Sequence, residues 1–255
     1  MTLIRTETEG RVRRLILDAP PMNAMTLPLL DELLAAYREA AADDAVRAVV
    51  LQSSSPKIFC AGLDLKLLRE EGAKGVRALL QRLYLDMLDV QHKMGKPTIA
   101  AVSGAARGGG MTLSITCNCI VADETASFGY PELDNGLIPA IHFVHLPRVI
   151  GKHRAFELLF SGRSFDAHEA ERIGLVVKVA KGKGAHEAAM ELAESFARQP
   201  PEATRIAHAA FMRAQDMDFR REVADVTETF INVSQTEETQ EGLTAFIEKR
   251  APNWR

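Results

Sequence analysis

Two glycine-bearing stretches hold the residue types best suited to chemistry done by the backbone itself. They are Phe59-Cys60-Ala61-Gly62-Leu63-Asp64-Leu65 and Gly104-Ala105-Ala106-Arg107-Gly108-Gly109-Gly110-Met111. Each follows a hydrophobic, strand-like run and precedes a helix-like one. A turn in that setting leaves N–H groups unpaired at the positive end of a helix, and glycine lets a ligand approach them closely. Two such groups aimed at one point form an oxyanion hole. The same glycines would equally build a tight turn packed on a neighbouring strand. Neither stretch is a Walker loop, since no Lys-Ser/Thr pair follows, and neither has the dinucleotide spacing. A third stretch, Phe128-Gly129-Tyr130-Pro131-Glu132, offers one carboxylate to work beside such a hole, unless it is a solvated acid in a turn.

The elements that must position these residues read as an α/β core. Thr2 to Thr8 and Val12 to Leu17 are expected as strands around a Glu9-Gly10 turn, and Pro20-Pro21 breaks the pattern. Leu27 to Ala42 carries Leu30, Leu33, Leu34 and Tyr37 at helical spacing. Val46 to Leu51, Thr98 to Val102 and Ile120 to Ala122 are short apolar runs, expected as buried strands. Val76 to Met94 reads as a second long helix. After Val179 the composition shifts, and Ala185–Arg198, Glu202–Ala214, Phe219–Val233 and Glu237–Lys249 all read as helix. The chain therefore divides into a core over residues 1–184 and a helical segment over residues 185–255. Its 255 residues, 47% hydrophobic and 25% charged, suit a globular protein. A net charge of −3 gives no whole-chain field for nucleic acid or anionic lipid. No apolar run reaches the roughly 18 residues of a membrane span, and the first residues lack the apolar core of a signal peptide. Cys60, Cys117 and Cys119 are too few for a disulfide framework and fit a reducing, cytoplasmic setting. Cys117-x-Cys119 lacks the partners and spacing of a zinc site, so no metal is expected.

The three stretches, in this order, resemble the crotonase superfamily, the enoyl-CoA hydratase/isomerase family, and the resemblance runs from about Val12 to Arg250. It implies a spiral of ββα units followed by a helical C-terminal module that drives assembly into homotrimers or hexamers. It implies an acyl-CoA thioester as substrate, with no cofactor beyond the coenzyme A the substrate carries. The hole donors would be the N–H groups of Leu63 and Gly109. Ala61, Asp64, Leu65 and Lys66 would lie along the CoA moiety, and Asn23-Ala24 matches a loop near its adenine. Lys249, in Phe246-Ile247-Glu248-Lys249-Arg250, would approach CoA, often from a neighbouring subunit. Plain structural roles compete: Asp64 suits a helix N-cap, and Lys249 suits a helix C-terminus. Cys60 has no local histidine to activate it as a nucleophile.

The carboxylates decide the reaction. Hydratases of this family use two glutamates, the first standing two residues after the triple glycine. Here that position is Thr112, whose hydroxyl titrates far outside the useful range. The second is present as Glu132, and burial would raise its pKa toward neutrality. A single carboxylate that moves one proton between two carbons is the equipment of a Δ3,Δ2-enoyl-CoA isomerase, which is the expected activity. A hydratase, or an acyl-CoA hydrolase or decarboxylase on the same scaffold, is the alternative. A catalytically weak CoA-binding oligomer is the rival from another class. The chain also departs from the family after Pro139, where further glycines are replaced by Ala140-Ile141-His142-Phe143-Val144-His145. Thr112, Pro139 and His142 are thus candidates for the acyl pocket. His142 and His145 are either acid–base groups or packed and surface residues of a helix.

Overall fold

The computed structural model describes residues 2–215 and 218–254, without the side chains of residues 66–68 and 71. Among the described residues ten strands follow one another as β1 (Ile4–Glu9), β2 (Val12–Leu17), β3 (Ala48–Ser53), β4 (Ile58–Cys60), β5 (Thr98–Val102), β6 (Ala105–Arg107), β7 (Cys119–Asp123), β8 (Ser127–Gly129), β9 (Phe165–Asp166) and β10 (Lys178–Ala180). They form two sheets. The larger runs β1-β2-β3-β5-β7-β10 and is parallel apart from the β1–β2 hairpin. The smaller runs β4-β6-β8-β9, with β4, β6 and β8 parallel.

The chain visits the sheets alternately. β3 leads to β4, β5 to β6 and β7 to β8, and each pair is followed by helical structure. This is a spiral of ββα units, in agreement with the α/β class and the repeat the resemblance implies. Its consequence is geometric: the ends of β4, β6 and β8 lie side by side, so the turns after Cys60 and Arg107 and the stretch after Gly129 emerge at one edge.

The larger sheet is buried on both faces, which is why β3, β5 and β7 read as unbroken apolar runs. On one face Leu15, Leu17, Val49, Leu51, Ala100 and Ala122 join the main core with the helix Leu27–Ala42. That helix starts at Thr26, whose hydroxyl accepts the Leu29 N–H, and Lys96 Nζ donates to the carbonyls of Ala40, Ala41 and Asp43 at its other end. The other face carries Val12, Ala48, Val50, Ile99, Ala101 and Val121. It is covered by Ala185, Ala188, Ala189, Ala193 and Ala197 of the helix Ala185–Ala197, whose small side chains let helix and sheet approach closely. This helix was grouped by sequence with the C-terminal segment, yet it packs as part of the core. Of that segment, Pro201–Gln215, Phe219–Ser234 and Glu237–Glu248 pack mainly against other helices and the turn Pro131–Asn135 rather than on the large sheet.

The expected helix Val76–Met94 is found in pieces. Leu65–Leu80 contains a break at Gly72 (φ 59°, ψ −167°) and continues into a π-helical turn, Gln81–Asp86, and then Met87–Lys93. Among the described residues no helix is long and apolar enough to cross a membrane.

Gly104 joins β5 to β6 at φ +68°, and a Cβ there would fall 2.0 Å from the Lys57 carbonyl group. Gly104→Ala combines left-handed strain with a backbone clash, and should cost about 2 kcal/mol or more of stability. Denaturant unfolding of the two proteins measures this; an unchanged midpoint would contradict the close crossing of the two backbones.

Candidate active site

The first turn is tied to the loop before the helix Leu27–Ala42. Met25 N–H donates to the Gly62 carbonyl at 2.8 Å, and Asp64 N–H donates to the Met25 carbonyl at 3.1 Å. Met25 and Leu63 thus form a one-residue parallel bridge. A parallel bridge of this register uses the groups flanking Leu63 and leaves its own N–H pointing away from Met25. Asn23 locks the loop from within: its amide donates to the Phe59 carbonyl and to Ser53 Oγ, and its Oδ1 accepts from Ala19 N–H.

The second turn starts at Gly108, whose φ of 49° and ψ of −115° carry the chain from β6 into the helix Gly109–Thr116. Gly109 opens that helix, where no intrahelical acceptor exists for its N–H. Among the described residues neither Leu63 nor Gly109 donates its N–H to a protein acceptor. The two turns touch backbone to backbone. A Cβ at Gly62 would stand 3.3 Å from Gly109 N, one at Gly110 would stand 2.3 Å from the Cys60 carbonyl oxygen, and one at Gly109 would collide with Met25 Cε. The glycines are required by this contact.

Glu132 comes from the 3-10 turn Pro131–Asn135 that follows β8. A Cβ at Gly108 would lie 3.1 Å from Glu132 Oε1, so the carboxyl sits against the second turn. The residue as a whole is half-buried, but its Oε2 is enclosed without a hydrogen-bond partner. Burial pushes its pKa up to about 8 from an ordinary 4.5; its own backbone N–H opposes the rise and the charge of Asp134 adds to it.

These groups line one cavity of about 390 Å³. Ala24, Ala61, Gly62, Leu63, Asp64, Leu65, Gly109, Thr112 and Glu132 all contribute to its wall, so most of the positions singled out from sequence are brought together. The side chain of Lys66 lies outside the described ones. Lys249 is exposed within one chain and stands outside the cavity, ending the helix Glu237–Glu248 at φ 55°, while Phe246 from the same helix lines it. Pro139 is buried but contributes no wall.

His142 sits one layer behind, with Nε2 at 3.1 Å from Thr112 Oγ1. Burial pushes its pKa down to about 3, and that of His145 well below the ordinary value. Both are packed residues of the helix His142–Ile150 and stay neutral near pH 7. The acid–base role considered for them from sequence is therefore not supported: neither His142 nor His145 contributes to the cavity wall, and both rings are buried and neutral. Cys60 is buried, donates its thiol to the Asn23 carbonyl at 3.1 Å, and is pushed up to about 12 by burial, so it is inert.

Five wall residues escaped the sequence reading: Met22, Leu83, Tyr84, Asn135 and Leu137. Leu83 and Tyr84 are adjacent in the chain and both face the cavity from the π-helical turn, a geometry often found at functional sites and invisible to 3.6-residue periodicity. Phe230, from the helix Phe219–Ser234, is buried and closes the wall.

Two unpartnered backbone donors, one desolvated carboxyl and an apolar cavity are groups that can stabilise an oxyanion next to a proton transfer. A family profile described as enoyl-CoA hydratase/isomerase matches residues 7–255. The chain is 38% identical over 246 residues to a probable enoyl-CoA hydratase of Rhizobium meliloti, covering 96% of this chain and 94% of the relative. It is 32% identical to 2,3-dehydroadipyl-CoA hydratase of Escherichia coli, covering 100% and 99%. Among solved structures, an enoyl-CoA hydratase from Bacillus anthracis superposes with a TM-score of 0.80 at 33% identity, covering 99% of this chain and 98% of that one. A putative enoyl-CoA hydratase from Mycobacterium avium paratuberculosis superposes at 0.87 with 30% identity, covering 99% of each. The chain belongs to the enoyl-CoA hydratase/isomerase family and is an acyl-CoA-processing enzyme of the crotonase superfamily.

The raised pKa of Glu132 has a stability consequence. In the unfolded chain this carboxyl ionises near 4.5, while in the fold it keeps its proton to about 8. The native state therefore binds more protons between those values, and stability falls as pH rises through that window. Below the window the carboxyl is protonated in both states and the penalty is absent. Glu132→Gln should match the wild type in denaturant midpoint near pH 4.5 and exceed it progressively up to about pH 8. A difference that does not change with pH would show that the carboxyl is not desolvated.

Proposed function

We propose that the cavity binds an enoyl-CoA thioester and moves its double bond from the β,γ to the α,β position. The observation that carries this reading is Glu132 beside Gly108 as the one glutamate of the wall, with the hydroxyl of Thr112 at the position where the resemblance to hydratases calls for a second carboxylate. The thioester oxygen accepts from the N–H groups of Leu63 and Gly109. Glu132, ionised, takes one proton from Cα, and the electron pair of that C–H bond moves into the enolate held by the two donors. The protonated Glu132, whose proton exchanges with solvent during the life of the enolate, then gives a proton to Cγ as the electrons return to form the Cα–Cβ double bond. No atom is gained or lost. A carboxyl with a pKa near 8 is matched to both halves of the exchange near neutral pH. Of the two acids in the wall, Asp64 stands at the head of the helix Leu65–Leu80, so the shuttle falls to Glu132.

Hydration of a 2-enoyl thioester is the second reading, favoured by the hydratase names of the relatives and by a hydroxyl in the cavity wall that can hold a water. One experiment separates the two. The enzyme is incubated with a 3-enoyl-CoA and with a 2-enoyl-CoA in deuterated water, and the products are weighed by mass spectrometry. The proposal expects double-bond migration with deuterium exchange and only slow water addition. It also expects Glu132→Gln to lose exchange by about 100–10,000-fold while still binding the thioester. Rapid net addition of water would make the enzyme a hydratase, and unchanged exchange in the variant would remove Glu132 from the mechanism.

We also propose assembly into trimers or pairs of trimers through the C-terminal helices. Phe219 and Phe230 are buried within the chain, but Ile206, Phe211 and Phe246 are more than half exposed, and subunit contact would cover them. Light scattering at micromolar concentration should give three or six times the chain mass; a monomer would contradict the assembly.

A further inference from the structure

Tyr84 brings a phenol to the cavity wall that the proton shuttle does not use. It is only 4% exposed. Its π-helical turn, Gln81–Asp86, packs against the helix Gly109–Thr116 and against the helix Phe219–Ser234. A Cβ on Gly109 would lie 3.5 Å from Leu83 Cδ2, so this turn overhangs the second donor of the hole. Tyr84 follows Leu83 in the turn and shares the wall with Leu137 and Phe230. Among the described residues no protein acceptor takes the hydrogen of its hydroxyl. The hydroxyl of Tyr130, the other buried phenol near Glu132, is sealed in protein, whereas that of Tyr84 is not. Burial, and after it the charge of Glu132, pushes the Tyr84 pKa up, so the phenol keeps its hydrogen across the working pH range. A buried, protonated phenol with no acceptor in the protein donates to what the cavity holds.

The rest of the wall limits what the acceptor can be. It carries two acids, Glu132 and Asp64. Among the described residues its one cation is Arg107, whose guanidinium is committed to the carbonyls of Ala106 and Ser127 and to Ser127 Oγ. A carboxylate on the acyl chain would enter a mostly apolar cavity with no described cation left to pair with it. A neutral oxygen meets no such penalty, while a plain alkyl end leaves the phenol unpaired. We propose that the acyl chain runs from the hole past Leu83 to Tyr84, and that Tyr84 donates to a neutral oxygen toward its end. Acyl thioesters that carry such an oxygen are then preferred over alkyl and dicarboxylic ones. The proposal rests on the cavity's assignment as an acyl-thioester site and makes Tyr84 a specificity residue.

Calorimetric titration with hexanoyl-CoA, its 4-, 5- and 6-hydroxy forms and adipyl-CoA tests this. It is run on the wild type and on Tyr84→Phe, which removes the hydroxyl alone. Ratios of dissociation constants within each protein cancel any general change in affinity. The wild type should bind at least one hydroxylated thioester about tenfold more tightly than hexanoyl-CoA, the worth of one good hydrogen bond. It should bind adipyl-CoA no more tightly than hexanoyl-CoA. Tyr84→Phe should bring the hydroxyl preference to about one. A preference that survives in Tyr84→Phe gives the oxygen to another donor and overturns the proposal. Tighter binding of adipyl-CoA than of every hydroxylated form overturns it too, because the site then selects a carboxylate. A wild type that binds all the thioesters alike removes the proposal alone. Failure to bind any of them removes the cavity's assignment with it.

Discussion

The site depends on two backbones approaching within van der Waals contact. The turn at Ala61-Gly62-Leu63 and the helix start at Gly108-Gly109-Gly110 interlock so closely that a Cβ on Gly109 or Gly110 would collide with Met25 or Cys60. The single bridge between Met25 and Leu63 sets which way the first N–H points, and the helix start sets the second. Everything else serves that contact. The spiral brings β4 and β6 side by side so that their turns emerge together, and the alanine-faced helix Ala185–Ala197 and the helix Leu27–Ala42 hold the large sheet from both faces.

Placing Glu132 on the next strand, β8, follows from the same repeat. Because β8 pairs with β6 in parallel register, with Arg107 opposite Gly129, the residues after Gly129 pass directly over Gly108. The carboxyl is thereby held in an apolar wall where its charge is costly. Function and instability share one cause: the burial that brings its pKa near 8 also makes its ionisation work against the fold.

Much of this was legible in the chain. Glycines in two strand-to-helix turns announced backbone donors, and unbroken β-branched runs announced a sheet covered on both faces. The helix Leu27–Ala42 was legible to the residue, because Leu30, Leu33, Leu34 and Tyr37 mark its buried stripe. The three-residue strands β4, β6 and β8 were not, since segments of that length carry no period of their own and are defined only by their neighbours. The π-helical turn was hidden for a related reason: it aims Leu83 and Tyr84 at the cavity through a local change of pitch that side-chain types do not encode. His142 and His145 illustrate a third limit. Their types suggested titration near neutral pH, whereas their burial, a property of the whole packing, keeps them neutral.

The central claim is that two peptide N–H groups polarise a thioester carbonyl. Isotope-edited vibrational spectroscopy reads that polarisation directly, with a carbonyl-labelled 2-enoyl-CoA bound to the Glu132→Gln protein so that no turnover intervenes. The account predicts a carbonyl stretch shifted to lower frequency on binding, and a smaller shift when Gly109 is replaced by proline, which has no N–H to give. A bound carbonyl that vibrates at its free-solution frequency would contradict it.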